Sequence, residues 1–268
     1  MSWLQAIVLA IVEGLTEFLP VSSTGHMIIC SSVMGIQAEA FTKMFTVVIQ
    51  LGAILSVVVV YWQKFLKTID INFYKKLILA FIPSALFALL FKKHIDAVME
   101  NALIVGIALF AGGLIFLALD KWIERANAIG ENNLPSDKSS IIIGLFQIVA
   151  MLFPGTSRSA VTIIGGLTQK LNKKTAAEFS FFLAVPTMFA ATGKKLYDFY
   201  KHSGMPSGDE IKLLAIGNVV AFVVALFAIK FFINFLTKHG FKLFGWYRII
   251  AGGIIILLYI MGIELKVL

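Results

Sequence analysis

The sequence predicts an all-α polytopic membrane protein, and three properties of its composition lead to this fold class. Of the 268 residues, 59% are hydrophobic and only 14% are charged, and the mean hydropathy is +0.90. Soluble globular domains contain about 45–50% apolar residues. The apolar residues form long continuous runs, whereas the strands of a transmembrane β-barrel alternate in polarity. We therefore expect several helices that cross a membrane.

The net charge of +8 does not indicate a nucleic-acid partner, because the basic residues of membrane proteins gather in cytoplasmic loops. The first basic residue is Lys43, so residues 1–20 lack the basic start of a cleaved secretory signal. We expect them to belong to the membrane domain. The single cysteine, Cys30, excludes an internal disulfide and a multi-cysteine metal site.

Six apolar runs are predicted to cross the membrane, extending into their flanks where needed, since about 20 residues span about 30 Å of hydrocarbon. These runs are roughly Phe45–Trp62, Leu77–Phe91, Ala102–Leu119, Phe179–Thr192, Leu213–Leu236 and Ile249–Ile263.

Two further apolar segments are interrupted by proline. Trp3–Leu19 stops at Pro20 and Ile141–Phe153 stops at Pro154. Each is followed by a polar turn and a second short apolar run, at 26–34 and 160–167. Two half-length helices around a broken turn indicate a re-entrant hairpin, because irregular backbone at membrane depth occurs only where protein or water covers it. The alternative is a kinked full-length helix followed by a loop.

The two interrupted segments resemble each other. The stretch "EGLTEFLPVSSTGHMII", which begins at Glu13, aligns without a gap with "QIVAMLFPGTSRSAVTI", which begins at Gln147. This alignment pairs Ser23 with Ser157. Three predicted spans follow each segment, so the pattern indicates an internal duplication.

The duplication predicts one membrane domain, 1–268, built from repeats at roughly 1–122 and 139–264 with a polar cytoplasmic loop at 123–138. A re-entrant hairpin plus three spans is an odd number of crossings, so the second repeat is expected to be inverted. The predicted loops place fourteen basic residues, Arg248 among them, on one side and eight on the other. The richer side is expected to be cytoplasmic, with both termini facing outward.

Glu13 and Glu17 are four residues apart and share one helix face. A carboxylate at the bilayer centre costs roughly 2.5–3.5 kcal/mol, so both are expected to face a cavity, a cation or a buried arginine. Arg158 in the second turn is the candidate arginine, and a structural ion pair is the alternative to a functional one. Together with phosphate oxygens, Glu13 and Glu17 are candidate ligands for a divalent cation, Mg²⁺ or Ca²⁺.

The hydroxyl residues of both turns are expected to cap half-helices that start near Gly25 and Arg158. The N–H groups and dipoles of such helix starts attract anions, and Arg158 adds a planar fork suited to phosphate. His26, three residues after Ser23, is a candidate general acid or base, with a structural polar role as the alternative. The predicted phosphate-binding residues are Ser22, Thr24, Gly25, Thr156, Ser157, Arg158, Ser159 and Thr162.

The stretches "VEGLTEFLPVSSTGH" (12–26) and "FPGTSRSAVT" (153–162) resemble the two signature motifs of bacterial undecaprenyl-diphosphate phosphatases of the bacitracin-resistance type. The resemblance implies a multi-pass enzyme of the bacterial cytoplasmic membrane that converts a C55 lipid diphosphate to the monophosphate and so recycles the carrier for cell-wall synthesis. It also implies a divalent cation and an active site that opens to the periplasmic side.

By the same resemblance, the first motif supplies the paired glutamates, Glu13 and Glu17, and the catalytic Ser23 and His26, and the second supplies Arg158. In the resulting hypothesis Ser23 attacks the terminal phosphorus or positions a water, while Glu17 or His26 takes the proton. The rival hypothesis is an ion-coupled transporter or a lipid flippase with an intramembrane anion site. The expected partners are the membrane and a polyprenyl diphosphate, and the sequence leaves a homodimer open.

Overall fold

The computed structural model describes residues 1–67, 70–91, 101–129 and 134–262, with the backbone alone at 67 and 119–129. A π-helical turn, Gln63–Lys67, follows the third helix. The α-helices are α1 Trp3–Thr16, α2 Ser23–Val33, α3 Ala40–Val60, α4 Ile71–Leu90, α5 Ala102–Ile129, α6 Asp137–Leu152, α7 Arg158–Thr168, α8 Lys173–Ser203, α9 Gly208–His239 and α10 Lys242–Ile260.

The long helices coincide with the predicted spans. In the described part of the chain, α3, α4, α8, α9 and α10 are long and apolar enough to cross a membrane. Helix α5 begins with an apolar stretch, Ala102–Ala118, at the position of the predicted third span. The predicted class, an all-helical polytopic membrane protein, is confirmed at this level. The predicted end of the last span, Ile263, lies outside the described residues.

The interrupted segments form pairs of short helices in contact, α1 with α2 and α6 with α7. With 11 residues each, α2 and α7 are about 16 Å long, roughly half the hydrocarbon thickness. Pro20 explains why α1 ends where it does, since a proline ring clashes with the carbonyl four residues earlier and Thr16 is the last residue of α1.

The predicted loop at 123–138 was too long at both ends. Helix α5 continues to Ile129 and α6 already begins at Asp137. The segment before Gly130 contains Ala, Lys, Glu and Arg, which favour helix, and no glycine or proline interrupts it. The division into two repeats stays a prediction.

Helices α9 and α10 pack closely against helices α1, α3 and α5, and glycine residues allow the close approach. Helix α9 contacts both α1 and α3, and α10 packs along α5. The backbone N–H of Gly52 donates a 2.8 Å hydrogen bond to Oδ1 of Asn218, and a Cβ at Gly52 would lie 2.2 Å from the Asn218 carbonyl oxygen. Small residues allow this close approach inside a membrane, where packing rather than water exclusion drives association.

Candidate functional site

Each short second helix is capped by a serine with left-handed backbone. The φ angles of Ser22 and Ser157 are 67° and 71°. The Ser22 hydroxyl accepts a hydrogen bond from the Gly25 N–H at 3.3 Å, and the Ser157 hydroxyl accepts one from the Ala160 N–H at 3.4 Å. The same unusual backbone therefore begins both helices, although α2 begins two residues earlier than expected.

The gapless alignment is wrong by one residue at these caps. It paired Ser23 with Ser157, but the first residues after the two caps are Ser23 and Arg158. The second turn is one residue longer and contains Gly155, whose φ is 101°. A Cβ at Gly155 would lie 2.3 Å from the Val105 carbonyl oxygen, so this turn requires glycine.

Glu17 joins the two helix starts. The Ser23 hydroxyl donates to Oε2 of Glu17 at 2.8 Å, and Nη2 of Arg158 donates to Oε1 at 2.8 Å. Arg158 also donates from Nη1 to the Ser180 carbonyl at 3.1 Å. The ion pair expected from the sequence is therefore present. Each carboxylate oxygen keeps a second lone pair, so Glu17 can still accept a proton or bind a cation.

A cavity of about 270 Å³ lies beside this carboxylate. Its polar end is formed by the two turns and its other walls by α3, α6 and α8. The lining residues are Glu17, Ser22, Ser23, Thr24, Val47, Gln50, Gln147, Ala150, Met151, Pro154, Gly155, Ser157, Arg158, Thr187, Met188 and Ala191.

Backbone N–H groups at the starts of α2 and α7, in or next to this cavity wall, have no hydrogen-bond partner among the described residues. Among the described hydrogen bonds, none uses the N–H of Ser23, Thr24, Arg158 or Ser159, the first two residues of α2 and α7. Such first-turn N–H groups carry the positive end of the helix dipole. Two helix starts and a guanidinium therefore form a positive region suited to a phosphate group.

Four of the predicted phosphate-binding residues lie outside this cavity wall: Gly25, Thr156, Ser159 and Thr162. The Ser159 hydroxyl donates to the Leu19 carbonyl at 3.1 Å and thereby connects the two turns. The Thr162 hydroxyl lies 2.6 Å from that of Ser180 on α8. In the structure these groups bond to other parts of the protein, and their proposed phosphate contacts stay predictions.

His26 faces away from the cavity wall, toward α10. Its Nδ1 lies 2.7 Å from the Ser22 carbonyl, and its Nε2 bonds to the Tyr247 hydroxyl. The two rings are stacked with centroids 5.5 Å apart. A carbonyl can only accept, so Nδ1 carries a proton and Nε2 of the neutral ring accepts from Tyr247. The catalytic role of His26 stays a prediction, and its Nε2 already accepts a hydrogen bond from Tyr247.

Glu13 is fully buried, and neither of its carboxylate oxygens has a hydrogen-bond partner among the described residues. The Glu17 carboxylate and the Arg158 guanidinium are its electrostatic neighbours. Within the described ranges no group of three or more His, Cys, Asp or Glu side chains could hold a metal. The two glutamates therefore fit a hard cation only if water and phosphate oxygens complete its coordination.

Arg248, predicted to be a cytoplasmic loop residue, belongs instead to the site. Arg248 lies inside α10, is fully buried and donates only to backbone carbonyls. Nη1 donates to Pro20 and Thr156, both at 2.9 Å, and Nη2 to Gly155 at 3.2 Å and Ala108 at 3.4 Å. One side chain thus binds both turns of the site.

Space for this guanidinium comes from helix α5. A Cβ at Gly112 would lie 2.1 Å from Nη2 of Arg248, so only glycine leaves room. The Phe116 ring lies 5.3 Å from the Arg248 guanidinium carbon. This cation–π contact and the carbonyl dipoles stabilise a charge that has no carboxylate partner among the described ion pairs.

A second cavity, of about 730 Å³, borders the first between α4 and α8. The two cavities share Met151, Thr187 and Ala191 as walls. Apart from Lys194 and Asp198 at one end, the second cavity has mainly apolar walls. A polar pocket and an apolar groove thus adjoin, as an amphipathic ligand would require.

Comparison with known proteins gives a consistent result. Residues 6–254 match the family described as bacitracin resistance protein BacA. An undecaprenyl-diphosphatase of Flavobacterium johnsoniae is 58% identical over 97% of both chains. One from Porphyromonas gingivalis is 48% identical over the full length of both, and one from Aquifex aeolicus is 45% identical over 92% of this chain and 95% of its own.

Proposed function

The chain belongs to the bacitracin resistance protein BacA family, and from this premise we propose that its polar cavity hydrolyses undecaprenyl diphosphate to undecaprenyl phosphate and inorganic phosphate. The main support is the position of Glu17. At the cavity wall it accepts hydrogen bonds from the hydroxyl of Ser23 and from the guanidinium of Arg158. A base, a nucleophile and a phosphate-binding cation therefore meet at one point. The rival carrier function finds no support among relatives that are named for hydrolysis.

The diphosphate binds in the smaller cavity and the prenyl chain lies in the adjoining groove. The polar cavity, at about 270 Å³, is smaller than the ~300–1,000 Å³ of pockets for drug-sized ligands, so it accepts a headgroup but not a 55-carbon chain. The groove beside it supplies apolar walls and shares Met151, Thr187 and Ala191 with the polar cavity. This geometry supports a substrate whose tail stays in the bilayer or along α4 and α8.

Arg158 and the first-turn N–H groups of α2 and α7 bind the terminal phosphate. The guanidinium can turn from Glu17 toward the phosphate or share its donors, since five N–H groups are available and two are used. Donors that are held in place before reaction stabilise the charge that develops on the phosphoryl oxygens. Such positioned charge is the main protein contribution to phosphoryl transfer.

Ser23 is the proposed nucleophile and Glu17 its base. The Ser23 hydroxyl already donates to Glu17, so its proton passes to Oε2 as Oγ bonds to the terminal phosphorus. The bridging P–O bond breaks, and the lipid monophosphate leaves with the electron pair and takes the proton from Glu17, which is then free to act again. Water then hydrolyses the phosphoserine. Glu17 is the better candidate base than His26, because Nε2 of His26 is engaged by Tyr247.

A divalent cation is proposed to bind at Glu13 and Glu17. Among the described residues, Arg158 forms an ion pair with Glu17 only, and both carboxylate oxygens of Glu13 lack a hydrogen-bond partner, so they can bind a cation. When bound, such an ion would neutralise phosphate charge. Mg²⁺ and Ca²⁺ are the two proposed ions.

In the membrane, we propose that the two repeats are inverted relative to each other and that the site opens to the periplasmic side. The short helices α2 and α7 support re-entrant hairpins, because neither is long enough to span the bilayer. Arg248 is buried in α10 and so no longer counts as a loop residue. Thirteen basic residues then remain on the predicted cytoplasmic side and eight on the outer side, which favours the same orientation. A homodimer stays a prediction.

Phosphate release by the purified protein in detergent tests this function. With C55 prenyl diphosphate we expect stoichiometric prenyl monophosphate and inorganic phosphate, and loss of activity with a chelator. A chiral phosphorothioate at the terminal phosphorus tests the serine route, since two in-line steps retain configuration and direct attack by water inverts it. Binding of the lipid without phosphate release would refute the enzymatic function, and inversion would refute the Ser23 nucleophile.

A further inference from the structure

Gln147 is a buried residue of the cavity wall to which neither the motifs nor the mechanism above gives a role. It lies on α6, and only 1% of its surface is exposed. Its Nε2 donates to the Ser84 hydroxyl at 2.6 Å and to the Thr187 hydroxyl at 3.3 Å. Both partners lie on neighbouring long helices, α4 and α8, which fix the carboxamide in place.

The hydrogen bonds of those partners fix which end of the amide faces them. The Ser84 hydroxyl donates to the Phe81 carbonyl at 2.9 Å, and the Thr187 hydroxyl donates to the Leu183 carbonyl at 2.8 Å. Each hydroxyl has one proton, so both can only accept from Gln147. The amide nitrogen therefore points to them, and a flipped amide would place an acceptor against two acceptors.

The opposite atom, Oε1 of Gln147, is a buried acceptor without a hydrogen-bond partner in the described part of the chain. A buried acceptor left unpaired destabilises the protein, so it is expected to meet a donor in some working state. Ionised phosphate oxygens bring no donor. A water molecule bound beside the phosphate brings two.

We propose that Oε1 of Gln147 accepts a hydrogen bond from the water that attacks phosphorus, which makes Gln147 a water-positioning residue. The inference rests on the proposed hydrolysis of a prenyl diphosphate. Every route to free phosphate contains one attack by water, so the role holds whether that water opens a phosphoserine or the diphosphate itself.

In the step concerned, the water oxygen bonds to phosphorus while the bond to the leaving oxygen breaks. The leaving oxygen is Oγ of Ser23 in the covalent route, and it takes the electron pair. One water proton passes to Glu17 and from there to the leaving oxygen. The second water proton stays on the oxygen and is held by Gln147. The attack therefore uses both protons of water, one at each residue.

This two-point contact predicts a preference for water over methanol. Methanol has a single hydroxyl proton and cannot satisfy Glu17 and Gln147 together. In water–methanol mixtures the wild-type protein should form mainly inorganic phosphate. Gln147→Met, similar in length but without an acceptor or donor, should lower kcat for hydrolysis about tenfold with little change in KM. The ratio of methyl phosphate to inorganic phosphate should rise several-fold.

Two further variants complete the experiment. Gln37→Met removes another carboxamide with a buried, unpartnered Oε1, but Gln37 does not line this cavity, so the product ratio should stay at the wild-type value. Ser84→Ala removes the shorter of the two hydrogen bonds of Nε2 and leaves the 3.3 Å bond to Thr187, so the amide is held less firmly and the ratio should rise by less than in Gln147→Met.

The product ratio separates this role from a structural one. A Gln147 that only supports the fold would lower both products in proportion, so a reduced rate with an unchanged ratio would overturn the proposal. Wild-type kcat in Gln147→Met would overturn it too. If the wild-type protein released neither phosphate nor methyl phosphate, the enzymatic function itself would be refuted. That result differs from an unchanged product ratio and from a wild-type kcat in Gln147→Met, which refute only the role of Gln147.

Discussion

Replacing Arg248 with methionine tests whether one buried guanidinium holds the two turns of the site together. Methionine keeps an unbranched side chain that tolerates a buried apolar site, but it has no donor. The change leaves the carbonyls of Pro20, Thr156 and Gly155 without the donors that now lie 2.9–3.2 Å away. These carbonyls come from different hairpins, so the loss should affect the shape of the whole cavity.

The magnitude follows from these three bonds. A buried carbonyl that loses its donor costs about 1 kcal/mol or more, so Arg248→Met should destabilise the protein by about 3 kcal/mol. The fourth bond, at 3.4 Å to Ala108, is too long to add much. For a chain of this size about 2–4 °C in Tm corresponds to each kcal/mol, so the Tm should fall by about 6–12 °C.

The assay is thermal unfolding in detergent, measured together with phosphate release at a temperature where the variant is still folded. The turnover of Arg248→Met should fall as well, because Ser23 and Arg158 sit directly after the two turns. Lys242→Met, on the exposed first turn of the same helix, is the control for loss of a positive charge and should change neither value. An unchanged Tm and kcat in Arg248→Met would refute the proposed role of these four bonds.

Three further predictions concern the polar end of the cavity. Arg158→Lys keeps the charge but loses the planar fork, and we expect about a 100-fold loss of kcat/KM, whereas near wild-type activity would remove the arginine from phosphate contact. Ser23→Ala should lose activity by several orders of magnitude because it removes the nucleophile. Ser22→Ala, at the neighbouring cap, should instead lower the stability by about 1 kcal/mol. Equal kcat values in the two variants would contradict these assignments. Glu13→Gln should raise the Mg²⁺ concentration needed for half-maximal activity, whereas Glu17→Gln should also lower kcat because an amide cannot accept the Ser23 proton; an unchanged Mg²⁺ titration in both would exclude them as ligands.

Much of the fold was predictable because it depends on local sequence. Length and apolarity locate the long helices, and the two prolines locate the breaks. The register of the second turn was not predictable in this way. The second turn contains one extra residue, Gly155, but its hydroxyl residues still resemble those of the first turn. The sequences therefore align without a gap, and nothing in the alignment reveals the insertion. Only the cap geometry identifies Arg158, rather than Ser157, as the counterpart of Ser23.

The site itself was predicted where buried charges must pair, even over 141 positions, and missed where neither charge nor short spacing indicates the contact. The pair formed by Glu17 and Arg158 could be proposed because unpaired charges in a membrane need each other. The bond between His26 and Tyr247 joins residues 221 positions apart, and no local pattern indicates it. Arg248 carries a weak signal, since it directly precedes an apolar run, but the same pattern is typical of a helix end at the membrane surface.

The four bonds of Arg248 also have a consequence for biosynthesis. The chain is made from its N-terminus, so the Pro20 carbonyl exists for more than two hundred residues of synthesis before its donor on α10 appears. Until then the first turn must be covered by water or by other parts of the nascent protein. The two halves therefore mature as one unit, and a chain released before α10 is complete should insert in the membrane without forming an ordered phosphate site.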